Sequence, residues 1–155
     1  MNGGTRLPRA KSVIRLAPHK PKFFEPAPAR RLLPSIFEPT NEDKREAERR
    51  GLSGPQVSVW DTDLTTPAQA KAFRPSPDAC AVLCLSVGLI EDIGREFDRQ
   101  LAVVSDPLPA DRRTRPGWEG HCGIGGLARP AGTARPVTKQ LWARLVRASE
   151  DLGDV

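Results

Sequence analysis

The sequence predicts an α/β (or α+β) protein: a small three- to four-stranded sheet with flanking helices, preceded by a disordered, basic, proline-rich N-terminal arm. Three observations lead there. From residue 40 onward, short apolar runs alternate with segments of helical periodicity, the pattern of strands and helices packed in layers. Hydrophobic residues other than glycine make up only 38% of the 155-residue chain, so part of the chain is expected to stay outside the core. The segment up to residue 34 carries Pro8, Pro18, Pro21, Pro26, Pro28 and Pro34 among arginines and lysines, too little apolar surface to offset the entropy of ordering it. Residues 1–39 are therefore read as the arm and 40–155 as one compact domain. The length excludes a large multidomain enzyme.

Each element has its own justification. Thr40-Asn41-Glu42-Asp43 sets a capping hydroxyl before two acids, which favours a helix start. The nearly all-charged run to Arg50 is a surface helix stopped by Gly51. Val57-Ser58-Val59-Trp60 reads as a short strand. Thr66-Pro67-Ala68-Gln69 opens a helix to about Phe73, with a threonine cap, proline in the first turn and glutamine three residues after the cap. Cys80 to Val87 is the most apolar stretch and short, so it is predicted as a central strand buried on both faces. Leu89, Ile93 and Phe97 recur at helical spacing over residues 88–100, with Gly94 as the weak point. Leu101 to Val104 is a third strand, and the proline-bearing 106–120 stretch an exposed loop. His121 to Leu127 is a fourth short strand or a turn, and a last helix is predicted over residues 136–152.

The net charge of +5 is unevenly distributed. Residues 1–40 hold eight basic groups against Glu25 and Glu38, a net of +6, and the remainder sums to −1. A basic arm is drawn to polyanions and is also ordinary for a solvated terminus. Arginine outnumbers lysine 18 to 6 amid abundant alanine and proline, a bacterial-like composition. The first 25 residues lack the ~7–15-residue apolar stretch of a secretory leader, and prolines interrupt any amphipathic transit helix. The longest apolar run, Ala79 to Ile90, falls short of the ~20 residues that span a bilayer. With three cysteines, an odd count, a soluble protein of the reducing cytoplasm is expected, with no membrane partner.

Several chemical readings can be tested on spacing. Gly123-Ile-Gly125-Gly126-Leu-Ala128 formally matches a dinucleotide fingerprint, but Arg129-Pro130 follows at once, leaving no helix to hold a pyrophosphate. No Walker loop is present. Cys80 and Cys84 on one strand would stand roughly 13 Å apart at ~3.3 Å per residue, too far to share a zinc, and are read as buried filler. No metal and no cofactor are predicted. His121 and Cys122 suggest a thiol nucleophile and its base, yet neighbours on a strand face opposite ways, so the pair works only in a turn. His121, near glycines, is expected to be accessible and to titrate near neutrality.

The sharpest motif is Val57-Ser-Val-Trp60-Asp61-Thr62-Asp63-Leu64-Thr65. An apolar strand running into D-x-D-x-T resembles the first motif of haloacid-dehalogenase-like phosphatases. The resemblance implies Asp61 as nucleophile and Asp63 as acid/base, at the carboxyl end of a strand where open α/β sheets place their sites. It further implies Ser86 as the second-motif hydroxyl, Arg95 or Arg99 as the basic residue, and Asp106 as a magnesium ligand. It covers about nine residues with two looser matches. The helix start at Thr66 leaves no room for that family's flap, and a bland reading is available: acids that end a strand before a capped helix.

The favoured reading is a non-enzymatic accessory or interaction protein whose basic arm docks on an acidic protein or nucleic acid. The contacts are Arg6, Arg9, Lys11, Arg15, Lys20, Lys22, Arg30 and Arg31, joined by Arg112, Arg113 and Arg115 of the loop, with Trp118 as contact anchor. One alternative is the magnesium-dependent phosphatase, with catalytic candidates Asp61, Asp63, Asp106, His121 and Cys122. The other is non-specific nucleic-acid binding, with Phe23 and Phe24 as stacking groups and no sequence-reading motif.

Overall fold

A computed structural model describes residues 4–25, 31–76, 78–130 and 135–155. It is α+β, with four helices and one six-stranded sheet. The strands are β1 (Ser12–Pro18), β2 (Gln56–Asp61), β3 (Cys80–Ser86), β4 (Ala102–Ser105), β5 (His121–Gly125) and β6 (Glu150–Asp154). The helices are α1 (Asn41–Arg50), α2 (Pro67–Ala72), α3 (Val87–Glu96) and α4 (Arg135–Ala148). Strand order is β4-β5-β2-β1-β3-β6, and each neighbouring pair is antiparallel.

Two strands exceed the expected three or four, and one overturns the N-terminal reading. Residues 12–18, assigned above to a disordered arm, are β1 near the middle of the sheet, so the folded body starts well before residue 40. Proline and charge density masked the run Val13-Ile14-Arg15-Leu16-Ala17, whose β-branched and apolar residues suit a buried strand. Pro18 sits at the strand's last position, beyond the two residues that pair with β2. The other addition is β6, in residues expected to close the last helix. Its acidic side chains at the sheet edge discourage pairing with another chain.

β1 pairs with β3 over seven residues, from Ser12↔Ser86 to Pro18↔Cys80. With β2 it pairs only at Val13↔Asp61 and Ile14↔Trp60. Beyond that point the Arg15 guanidinium takes over: Nε donates to the Ile36 carbonyl at 3.0 Å and an Nη to the Ser58 carbonyl at 3.1 Å. A carbonyl left without a strand partner is thus hydrogen-bonded by a cation. Burial pulls Arg15 down to about 10, and it stays charged at neutral pH.

The sheet is covered on both faces. Val13, Val57, Val59, Leu83, Leu85, Val103 and Ile124 pack against Ile90 and Ile93 of α3, Leu141 and Leu145 of α4, and Ile36 and Phe37. On the opposite face Ile14, Leu16, Trp60 and Val82 meet Ala70 of α2, Leu108 and Phe73. The expectation that β3 is buried on both sides holds. So do the caps: Thr40 and Thr66 each form a full capping box. Gly94 lets the chain after α3 fold back, since a Cβ there would lie 2.8 Å from both the Arg99 carbonyl oxygen and the Leu101 side chain.

The segment before β1 is a strap. Leu7 N–H donates to the Val103 carbonyl and Ser105 N–H to that of Thr5, which extends the sheet beyond β4. The Arg9 and Lys11 carbonyls then accept from the Gly88 and Val87 amides at the start of α3, while the Ser86 hydroxyl accepts from Leu89. These are donors that a helix cannot bond internally.

Deleting residues 1–18 therefore removes a central strand together with the two strap carbonyls that accept from the first amides of α3. The truncated protein should lose its cooperative thermal transition in circular dichroism. An unchanged transition would contradict the placement of β1.

Candidate functional site

The cations assigned to arm docking are mostly engaged within the fold. Arg6 and Arg9 each reach the buried Glu91 carboxylate at 3.0 Å, and Arg9 also pairs with Asp92 at 3.0 Å. That contact holds Asp92 below its ordinary value. Lys11 bridges Asp63 at 2.8 Å and Asp61 at 3.3 Å, and Arg15 lies between strands as described. Arg31 pairs with Glu25 at 3.4 Å, and Lys22 lies over the Phe23 ring. Lys20 is exposed, and Arg30 lies outside the described residues. Phe23 and Phe24, expected as stacking groups, are buried in the core.

The acids of the D-x-D-x-T segment serve local structure. Asp61 is 5% exposed, its side chain accepts from the Asp63 amide at 2.9 Å, and its carbonyl accepts from Leu64 and Thr65. Ser86 caps α3, Arg95 pairs with Asp92, and Arg99 donates to the Gly126 and Ala128 carbonyls. β2 and β4 run in the same direction with antiparallel β5 between them. At ~4.8 Å per strand, the chain positions of Asp61 and Asp106 are about 10 Å apart. Among the described residues, no three His, Cys, Asp or Glu side chains gather where they could hold a metal. Asp106 instead binds Arg50 through both oxygens, at 2.9 and 2.7 Å.

His121 and Cys122 both lie on β5 and part to opposite faces. Cys122 is buried in the main core, its thiol donating to the Gly120 carbonyl at 3.3 Å. Desolvation pushes that thiol up to about 12, which leaves it protonated and unfit as a nucleophile. The turn that pairing with His121 required does not form.

His121 has other partners. Its Nδ1 lies 2.7 Å from the Asp106 carbonyl oxygen and 3.6 Å from the Asp106 carboxylate. Its Nε2 lies 3.1 Å from Ser58 Oγ, and Trp60 meets the ring edge-on at 5.0 Å between centroids. A carbonyl can only accept, so Nδ1 carries the proton, Nε2 accepts, and the Ser58 hydroxyl donates. Burial lowers the His121 pKa below its usual 6.5. Ser58 and Arg50 were not singled out by sequence reasoning. The only available signal was alternation along β2, which puts Ser58 on the face of Trp60. The group opens on a cleft of about 670 Å³ between α1 and the loop after β4.

The loop supplies the second feature. Arg112 donates to the Phe73 carbonyl at 3.1 Å, Arg115 to that of Ala72 at 3.0 Å, and Arg113 to that of Leu108 at 2.9 Å. The first two clasp the C-terminal end of α2, the negative end of its dipole. Arg113 stacks over Trp118 at 4.1 Å, so Trp118 is half-buried beneath a guanidinium rather than presented as an anchor. Among the described residues, none of these three arginines is paired with a carboxylate, and Lys71 and Arg74 lie on the adjoining turn.

Comparison with known proteins yields no matching family model, no similar curated protein and no similar solved structure.

The His121 environment makes a prediction for stability. A histidine whose folded pKa lies below its unfolded value contributes stability at pH above ~6.5 that is lost as pH falls through the folded pKa. Wild type should therefore lose more stability than His121→Gln on going from pH 7 to pH 5, measured by urea unfolding. Equal losses would show that the ring is not held neutral.

Proposed function

We propose that the protein is a small accessory, partner-binding protein that docks on an acidic protein through the 110–118 loop and the C-terminal turn of α2. The observation that carries this reading is the group Arg112, Arg113 and Arg115, anchored by backbone carbonyls and unpaired with acids among the described residues. Guanidinium groups fixed in this way retain free N–H donors for carboxylates and lose little side-chain entropy on binding. The N-terminal cations are poorer candidates, because Arg6, Arg9 and Lys11 would have to give up Glu91, Asp92, Asp61 and Asp63.

A protein partner is favoured over nucleic acid by the surroundings of the loop. Trp118 is covered by Arg113, which leaves no open aromatic platform for bases there. Leu64, 52% exposed, stands beside the Gly117–Gly120 turn and supplies an apolar contact next to the charges. The cleft beside the loop is bounded by Glu42, Glu46 and Asp111 as well as by arginines, a mixture that repels a continuous phosphate chain.

Fluorescence anisotropy with a labelled peptide alternating glutamate and leucine tests this directly. Binding is expected to weaken several-fold between 50 and 200 mM salt, as screening shortens the reach of the charges. Arg113→Ala combined with Arg115→Ala should weaken it by about 1–2 kcal/mol, at ~0.5–1 kcal/mol per exposed ion pair. A duplex DNA oligomer bound more tightly than the peptide, or no effect of the two substitutions, would overturn the reading.

A further inference from the structure

We infer that Ser58 and His121 form a nucleophile–base pair for acyl transfer, acting on small carboxylic esters in the cleft between α1 and the loop after β4. The geometry that points there is a series of three groups. Ser58 Oγ donates to His121 Nε2 at 3.1 Å, and His121 Nδ1–H is held by the Asp106 carbonyl at 2.7 Å. The Asp106 carboxylate, 3.6 Å from Nδ1, is fixed in turn by two bonds from Arg50. A nucleophile, a base within hydrogen-bond reach and a group that orients the base are the parts such chemistry needs. They come from β2, β5 and the end of β4, so sheet pairing holds their spacing, and Trp60 restrains the ring edge-on.

The surroundings supply the remaining requirements. Ser58, half-buried, opens on the cleft, whose volume of about 670 Å³ suits a small molecule. Gln56 lines the same cleft two residues earlier on the same strand face, and no described group takes up its side-chain amide. It lies across Gly123, where any Cβ would collide with it. Arg112 also lines the cleft. The Gln56 amide and the Arg112 guanidinium are the donors available to the negative charge that develops on the carbonyl oxygen. Leu108 and Pro109 add apolar wall.

The reaction balances with water as the second substrate. Ser58 Oγ attacks the ester carbonyl carbon while its proton passes to His121 Nε2. The C–O bond of the tetrahedral intermediate breaks, and the leaving alkoxide takes that proton. Water, giving its proton to the same Nε2, then attacks the acyl-serine, and Ser58 Oγ leaves with the proton returned.

Incubation with p-nitrophenyl acetate and, separately, with a fluorophosphonate probe tests the assignment. Wild type should show a burst approaching one equivalent of p-nitrophenolate, and the probe adduct should map to the peptide carrying Ser58. Ser58→Ala should abolish both signals, and His121→Gln should slow acylation roughly 100-fold or more. Asp106→Asn, which keeps the backbone carbonyl, should slow it less than tenfold. Circular dichroism shows whether each variant is folded, and the wild-type adduct position stands without the variants. Wild type that stays unlabelled or is labelled at another residue would overturn the inference, as would folded His121→Gln reacting at the wild-type rate.

Discussion

The hydrogen-bond ladder of β1 joins what would otherwise be two separate sheets. On one side lie β4, β5 and β2, on the other β3 and β6, and among the described residues Ser12–Pro18 is the strand that lies between them. The seven-residue register with β3 is regular, whereas the contact with β2 covers two residues before Arg15 completes it by side chain. That arrangement puts a cation where strands usually meet, and it is tolerated because two carbonyls receive the guanidinium. The strap ahead of β1 completes the first turn of α3 with its own carbonyls. Sheet and helix therefore both depend on a segment whose composition resembles that of a solvated tail.

Local chemistry was legible in the sequence and long-range pairing was not. The caps at Thr40 and Thr66, the stop at Gly51, and the strands around Val57–Trp60 and Cys80–Ser86 all follow from rules that act within a few residues. β1 was hidden because prolines at 8, 18 and 21 and cations at 9, 11 and 15 outweighed four apolar residues in a reading based on composition. Only distant partners explain those cations: Glu91 and Asp92 for Arg9, Asp61 and Asp63 for Lys11, and the Ile36 and Ser58 carbonyls for Arg15. β6 was absorbed into the preceding helix, since Glu150-Asp151-Leu152 shows no alternation.

The candidate site divided in the same way. Asp106 and His121 stood out individually, but their meeting depends on β4 and β5 being neighbours, and Ser58 enters only through the pairing of β5 with β2. The D-x-D-x-T segment was conspicuous for a local reason: its acids close a strand, receive amides and anchor Lys11. Charge was partitioned by the fold as well. Arg6, Arg9 and Lys11 are neutralised by acids of the body, whereas the loop arginines are anchored by carbonyls, and one of them, Arg112, is set in the wall of the cleft.

Native-state amide hydrogen exchange over the N-terminal segment tests the central claim most directly. Interior strands exchange only through large-scale unfolding, so the amides of Val13 to Ala17 should be protected to the same degree as those of Ala81 to Leu85 in β3. Exchange of residues 13–17 at the rate of an unstructured peptide, with β3 still protected, would contradict a sheet built around β1.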